Sequence, residues 1–465
     1  MDLFSCLPDG VLLMIIGCIA ESDLKAFIHL GTVCKRFHRL MWQVPALLVR
    51  DVKEDFIPGL ILRMERLVKL DITLRTHCGI ETCLQHSYQS LTCLCIRKFH
   101  KIGDKVNHSF VEQVLSLTMT VCQNLRKLSL LFCGLSFAPQ EVDWGKLGEL
   151  GPVLALRELE MSHVCFSRGS LLEGLLHIFP RLELLDLREL RGLEDMAYVD
   201  GRCLQRLAVQ CHFNDGATIN INAPALKELQ LVDVGGFAIV GGEGPESLLI
   251  DGFLNPGWLD PVMFLRLTRL SVSITDYFNQ FGKTSFVNLL EELRRFLDAH
   301  RHNLEVVSLN LDARFQMRAV SKAVTNVFSL EFPNLKILRL RRWVNDLMEE
   351  LHLRNLLCCP FSAPKLQQLH LEVGQSMSIL TISLIRFFLK SSPSLRTVVI
   401  NWESDDHLKS DPLVTSESQG LQELRASFPK AAFVFNSRLF KTYERDCWCV
   451  EWPGLEWGDE MGESG

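Results

Sequence analysis

Leucine recurs along most of the chain in one hexamer, Leu-x-x-Leu-x-Leu, with Val, Ile or Met admitted at the later sites. Twelve copies begin at Leu67, Leu91, Leu125, Leu156, Leu182, Leu204, Leu226, Leu267, Leu304, Leu335, Leu366 and Leu395. Clear examples are Leu182-Glu-Leu-Leu185-Asp-Leu187 and Leu366-Gln-Gln-Leu369-His-Leu371. The last two apolar sites of each copy alternate with polar neighbours at a period of two, which predicts a short strand with one face buried. Several intervals carry the helical period instead. From Ser285 to His300, Phe286, Leu289, Leu290, Leu293 and Leu297 recur at steps of three and four, predicting an amphipathic helix. Pro-x-Leu at Pro180, Pro224, Pro333, Pro364 and Pro393 marks the return to the next strand, because proline cannot donate to a continuing helix and disfavours helical geometry just before it.

The copies are spaced by about 30 residues on average, slightly above the 20–29 of leucine-rich repeats. The predicted class is therefore α/β: a leucine-rich-repeat solenoid of about twelve irregular repeats over residues 67–436, with a concave parallel sheet and convex helices. The interval from Leu226 to Leu267 is the exception. It spans 41 residues and holds Gly235, Gly236, Gly241, Gly242, Gly244, Gly252 and Gly257, so residues 233–264 are expected to form a long loop, either a ligand-binding loop or a disordered insertion. Residues 49–66 read as a linker or first capping segment.

Ahead of the repeats, Val11, Leu12, Ile15, Ile16 and Ile19 lie on one helical face behind Leu7-Pro8-Asp9, with Asp9 placed to cap the start. Ser22 and Asp23-Leu24 open a further segment, which runs through Val33-Cys34-Lys35-Arg36-Phe37 and Leu40 to Trp42 and Pro45. It predicts one or two more helices, with Gly31 a candidate break. A unit of about fifty residues with so many apolar side chains is too small to bury them all alone and is expected to seek a partner surface.

The three blocks Leu7-Pro8-Asp9 with Val11-Leu12 and Ile15-Ile16, then Asp23-Leu24, then Val33-Cys34-Lys35-Arg36-Phe37 with Leu40, resemble the F-box family over residues 3–48. Phe37 stands where many members have tryptophan, and Gly10 replaces the usual acidic residue. The resemblance implies a three-helix domain docking on a Skp-type adaptor and, through it, on a cullin scaffold within a ubiquitin ligase. By position it implies Leu7, Pro8, Leu12, Ile16, Leu24, Val33 and Phe37 as the adaptor contacts. The plainer alternative, a helical cap for the first repeat, has no need of these blocks at these separations.

Composition narrows the partners. With 49 basic and 55 acidic side chains, a net charge of -6 and a pI near 6.2, the chain offers no general field for a polyanion, so nucleic acid is not expected. The apolar run Val11 to Ala20 is about half of the ~20 residues a bilayer-spanning helix needs, and Met1-Asp2 lacks the basic start of a secretory leader. No membrane is expected, and the chain reads as intracellular, in cytoplasm or nucleus. Its 16 cysteines are too sparse for a disulfide scaffold and read as reduced thiols. The pairs Cys93 and Cys95, Cys358 and Cys359, and Cys447 and Cys449 are closer than the Cys-x2–4-Cys of zinc sites, so no metal is expected. His300 and His302 flank Arg301 at a helix end, where positive charge suits the dipole, and are expected in solvent.

The best enzyme lead is Gly282-Lys283-Thr284, which follows an apparent strand at Leu270 to Ile274 and opens a helix. A phosphate loop needs glycine five residues before Gly282, yet Tyr277 stands there, with Phe278 and Phe281 nearby. Nucleotide binding by Lys283 is therefore the remote alternative to a plain helix start capped by Thr284 or Ser285. Neither Gly-x-Ser-x-Gly nor His-Glu-x-x-His occurs. No cofactor and no catalysis by this chain are expected.

The residues flanking the strand leucines should line the concave face. They are of mixed charge, with Lys69, Arg97, Lys127, Arg188, Arg206, Arg269, Arg339 and Arg341 against Asp71, Glu158, Glu160, Asp186, Glu228 and Glu372, which favours a protein partner. Arginine and tryptophan are enriched in binding hot spots, so Arg339, Arg341, Trp343, His370, Glu372 and Trp402 are the expected substrate patch, with an ordinary solvated strand face the plainer reading. The tail 437–465 carries Trp448, Trp452 and Trp457 and is acidic from Glu451 onward; it reads as a frayed end or a short recognition segment.

Overall fold

The computed structural model describes residues 6–50, 56–74, 80–99, 110–133, 140–141, 144–165, 171–190, 196–211, 218–252, 259–274, 283–311, 326–341, 360–373, 379–404 and 418–439. Two compact units divide between Leu193 and Glu194. The class is α/β, with fifteen main strands in parallel order and eleven α-helices among the described residues.

The first unit opens with three helices, α1 (Asp9–Ala20), α2 (Leu24–Val33) and α3 (Lys35–Met41). Leu12, Ile16 and Ala20 repeat every four residues along one stripe of α1 and are fully buried, against a core that includes Leu24, Phe27, Phe37, Leu40 and Met41. Asp23 caps α2, accepting from the backbone N–H of Lys25 at 2.9 Å and of Ala26 at 3.1 Å. Asp9 does not cap α1, contrary to the sequence expectation: it lies inside the first turn, and its carboxylate pairs instead with Arg36 and Arg39 of α3 at 2.6 and 2.9 Å. Nor does Gly31 break a helix. It lies within α2, where a Cβ would collide with Met41 Sδ, so glycine lets α3 approach closely; the break falls at the extended Cys34.

Six strands of this unit follow in chain order: β1 (Ala46–Val49), β2 (Lys69–Leu74), β3 (Cys93–Phe99), β4 (Lys127–Cys133), β5 (Glu158–Ser162) and β6 (Leu184–Leu190). The register keeps one hexamer site opposite itself, from Leu47 through Leu70, Leu94, Leu128 and Leu159 to Leu185. A slip of one residue would turn each leucine to the polar face, so the apolar sites fix the register. Returns are made by α4 (Phe56–Ile61), α5 (Ile80–Ser87), α6 (Phe110–Val121), α7 (Trp144–Gly148) and α8 (Leu171–Ile178), each packed on the next. Leu115 and Met119 of α6 share an apolar space with Leu125, Leu128 and Phe179, which closes the core between helices and strands. Within residues 49–66, read from the sequence as a linker or first capping segment, the described part carries α4 between β1 and β2.

The second unit carries nine more strands: β7 (Arg206–Cys211), β8 (Glu228–Val232), β9 (Ser247–Asp251), β10 (Arg269–Ile274), β11 (Val306–Leu311), β12 (Ile337–Arg341), β13 (Gln368–Val373), β14 (Thr397–Ser404) and β15 (Ala432–Leu439). The same ladder runs through Leu207, Leu229, Leu248, Leu270, Val307, Leu338, Leu369, Val398 and Phe433. Its described helices are α9 (Lys283–His300), α10 (Ile379–Ser391) and α11 (Ser418–Ser427).

Three strands escape the leucine hexamer. Register aligns Val44-x-x-Leu47-x-Val49, Pro245-x-x-Leu248-x-Ile250 and Lys430-x-x-Phe433-x-Phe435 with the other twelve. The second of these overturns the expected long loop. Buried Pro245 takes the place of the first leucine, and the interval divides into ordinary steps of 19 and 22 residues. Glycine serves close approach here: at Gly244 (φ 75°) a Cβ would strike the Met263 carbonyl, and at Gly252 (φ 100°) it would strike Asp233. We expect Gly252→Ala to cost about 1–3 kcal/mol from the backbone conformation alone, read as a lowered urea midpoint; an unchanged midpoint would contradict this packing. Convex helices are also not universal. Met196–Asp200, Thr218–Asn222 and Gly236–Ile239 form a separate three-stranded parallel sheet, with Ile219 and Ile221 fully buried, where short repeats leave no room for a helix.

His300 is a further correction. Only 4% exposed, it stacks on Phe296 (4.6 Å between ring centres) and approaches Phe264, because it follows Phe296 by four residues on the buried stripe of α9. Its Nε2 is buried without a hydrogen-bond partner among the described residues. Burial holds its pKa below the usual histidine value, against a weaker opposing effect of the Pro261 carbonyl. Below the ordinary pKa the unfolded chain therefore binds more protons than the folded one, so stability is complete above about pH 6.5 and falls as pH drops. His300→Phe should flatten the loss of thermal stability between pH 7 and pH 5; an unaltered pH profile would remove this role.

Candidate docking surfaces

Helix α1 is apolar nearly all round, yet only one stripe of it is buried. Val11, Met14 and Ile15 remain exposed, Met14 by 73%, and Ile28 and Val33 of α2 are exposed as well, Val33 by 63%. An all-apolar helix belongs in an interior, and contiguous exposed apolar surface marks an interaction site. The seven contacts implied by the family resemblance divide accordingly. Pro8 and Val33 are exposed and Leu7 is half-buried. Leu12, Ile16, Leu24 and Phe37 lie in the module's own core and are unavailable for contact, because they form the stripe that holds the helices together. Val11, Met14, Ile15 and Ile28 are the exposed apolar residues instead. Sequence reasoning missed Met14 and Ile28 because helical period alone cannot say which apolar stripe of such a helix faces inward.

On β2 to β6 the polar strand face is a lattice of paired charges. Arg97 donates to both Asp71 oxygens at 3.3 and 3.2 Å. Lys127 lies 3.0 Å from Glu158 and 2.9 Å from Glu160, Ser129 Oγ donates to Glu160 at 2.8 Å, and Arg188 grips Asp186 at 2.6 Å. Burial pushes the Glu160 carboxyl upward, but the Lys127 ammonium, the Ser129 hydroxyl and the Arg188 charge outweigh it and hold it below the usual carboxylate range. Asp71, Glu158, Glu160 and Asp186 are thus each paired with a base within the sheet. Cys95, beside Asp71 and Ser129 in register, is raised to about 12 by burial and then by Asp71; burial also raises Cys83 and Cys122 to about 11. In the free chain these thiols stay protonated at neutral pH and are poor nucleophiles.

In the second unit Arg339 is the direct cross-strand neighbour of His370, with Ser308 on its other side. His370 Nε2 lies 3.2 Å from Gln368 Oε1. Glu372 pairs in register with Asn401, and Trp402 with Val373. Arg341 ends β12, so five of the six residues expected in the substrate patch fall on three adjacent strands. Trp343 lies outside the described residues, as do Gly282 and the acidic tail from residue 440 onward. Lys283 is the first residue of α9, where nothing described builds a phosphate cradle.

Among the described residues no group of three or more His, Cys, Asp or Glu side chains is placed to hold a metal, and no helix is long and apolar enough to cross a membrane. No model of a known protein family matches the chain, and no curated protein matches it either. What fold and surface define is an α/β protein built of repeated parallel strand units, with a helical module that leaves a second apolar face uncovered.

Proposed function

We propose that this chain is the substrate-recognition subunit of a cullin-type ubiquitin ligase. Helices α1 to α3 act as an F-box and dock on a Skp-type adaptor, and the leucine-rich strand units hold the protein to be ubiquitinated. The observation that carries this reading is the exposed apolar stripe Val11, Met14 and Ile15 of α1, with Ile28 and Val33 of α2 exposed as well, on a module whose own core is already filled. Ubiquitin transfer then follows from proximity, since fixing two reactants near one another raises their effective concentration, and the chain itself supplies no catalytic group. The partner machinery places the chain in cytoplasm or nucleus.

Substrate capture is assigned to the strand face around Arg339 and His370, with Arg341 and Glu372 in the same alternation; Trp402 takes the opposite alternation, in register with Val373, and Trp343 lies outside the described residues. A repeat scaffold outside any ligase explains the strands equally but leaves the second apolar face without an occupant. Mixing the purified chain with a Skp-type adaptor and cullin tests the two readings. Co-elution as a single complex, unaffected by Lys283→Ala, is expected on the ligase reading; separate elution supports the scaffold, and ATP binding abolished by Lys283→Ala would favour the nucleotide alternative.

A further inference from the structure

Helix α1 presents Val11, Met14 and Ile15, and its own apolar anchorage is narrow: the fully buried stripe Leu12, Ile16 and Ala20, with Leu13 and Ile19 half-buried. Apolar contact is non-directional, so this stripe sets how close α1 lies to its neighbours better than how it is rotated or shifted along its axis. The directional contacts lie at its two ends. At the first end, Asp9 accepts from Arg36 Nε at 2.8 Å and from Arg39 at 2.9 Å, while Arg36 also donates to the Leu7 carbonyl at 2.5 Å. At the other end Glu21, the residue that closes α1, accepts from Lys69 Nζ of β2 at 2.7 Å. One pin reaches α3 and the other reaches the sheet.

The sheet is itself joined to the module without slack. α3 ends at Met41 and β1 begins at Ala46. The Pro45 carbonyl accepts from Val68 and Lys69 N–H at 2.7 and 2.9 Å, the Trp42 carbonyl accepts from Glu65 N–H at 2.9 Å, and the Arg63 guanidinium lies 5.5 Å above the Trp42 ring. Both ends of α1 are therefore referred to fixed elements of the same unit.

We infer that Asp9 and Glu21 are positioning residues for adaptor docking: by pinning α1 to α3 and to β2 they hold its exposed apolar residues Val11, Met14 and Ile15 in one orientation relative to the rest of the module. This rests on the adaptor reading. Neither carboxylate is a contact residue, and both pairs are about half exposed, so each adds little to global stability. Their effect is on the orientation of the face.

The test uses the full chain, with Asp9→Asn and Glu21→Gln separately and together, and with Glu21→Lys alone and combined with Lys69→Glu. Affinity for a purified Skp-type adaptor is measured from low to 1 M salt, and amide exchange of α1 is measured in the free chain. The inference expects docking of the Asp9→Asn, Glu21→Gln chain to be about three- to ten-fold weaker at low salt, the gap to the unaltered chain closing at 1 M where the pins are screened. It also expects faster exchange in α1 at an unchanged unfolding midpoint, and recovery of affinity when Lys69→Glu is added to Glu21→Lys. Equal affinity and equal α1 exchange in all variants would overturn it. Should the unaltered chain fail to bind the adaptor, the adaptor reading falls, while α1 exchange still decides whether the pins order the helix.

Discussion

A chain carrying Met14→Asp and Ile15→Asp should lose docking on a Skp-type adaptor by on the order of 100-fold or more, while its unfolding midpoint barely moves. Each side chain buried at an interface contributes about 1.5–3 kcal/mol relative to exposure, and each aspartate adds the cost of removing a charge from water. Met14 is 73% exposed and Ile15 37% in the free chain, so any loss of fold stability is confined to the covered part of Ile15. The contrast is Leu12→Ala, four residues before Ile16 on the fully buried stripe, which should destabilise the fold by about 2–5 kcal/mol. Titration calorimetry and urea unfolding on the same samples separate the two effects. Retention of tight docking by the double aspartate chain would show that this face is not the interface.

The second large effect is expected at Phe264, within the stretch whose seven glycines read as a loop. Phe264 is fully buried, with Phe296 at 5.3 Å and Phe237 at 6.1 Å between ring centres, and His300 on the same cluster. Replacing such a ring by alanine removes its transfer free energy and leaves a cavity that rigid aromatic neighbours fill poorly, a cost of about 3–5 kcal/mol. A loop residue would cost almost nothing. Urea unfolding of Phe264→Ala decides, and a change below 1 kcal/mol would restore the loop.

The repeats were legible in the sequence because the information lies in spacing. Leucines at the fourth and sixth hexamer sites share one face only if the segment is a strand, and parallel register then follows from keeping that face buried. Three strands are hidden from the leucine hexamer where another residue stands at its first site, Val44, Pro245 or Lys430; only the alternation, as at Leu248 and Ile250, survives the change. At His300 two local signals conflict: helix-end electrostatics favours solvent, while its spacing from Phe296 puts it on the inner stripe of α9, and burial in the aromatic cluster prevails.

The docking face was legible only as an excess. Composition showed more apolar surface in the first fifty residues than they can bury, yet Leu12 and Ile16 on one side of α1, and Val11, Met14 and Ile15 on another, are alike in type and spacing. Which set faces inward depends on contacts with Phe27 and Phe37, distant in sequence. The role of Asp9 was hidden for the same reason: its partners Arg36 and Arg39 lie 27 and 30 residues away, while an acid at a helix start has a local explanation ready. The charge lattice of β2 to β6 shows the complementary effect. Glu158 and Glu160 stand two residues apart on one strand, and Lys127 comes from the neighbouring strand 31 and 33 residues earlier in sequence and pairs with both.

The most direct measurement of the central claim is hydrogen exchange of the full chain alone and mixed with a Skp-type adaptor. The account predicts added protection confined to α1 and α2, centred on Val11, Met14, Ile15, Ile28 and Val33, with the strands of the second unit unchanged and left open for substrate. Absence of a complex, or protection that falls on β12 to β14 while α1 exchanges as before, would contradict it.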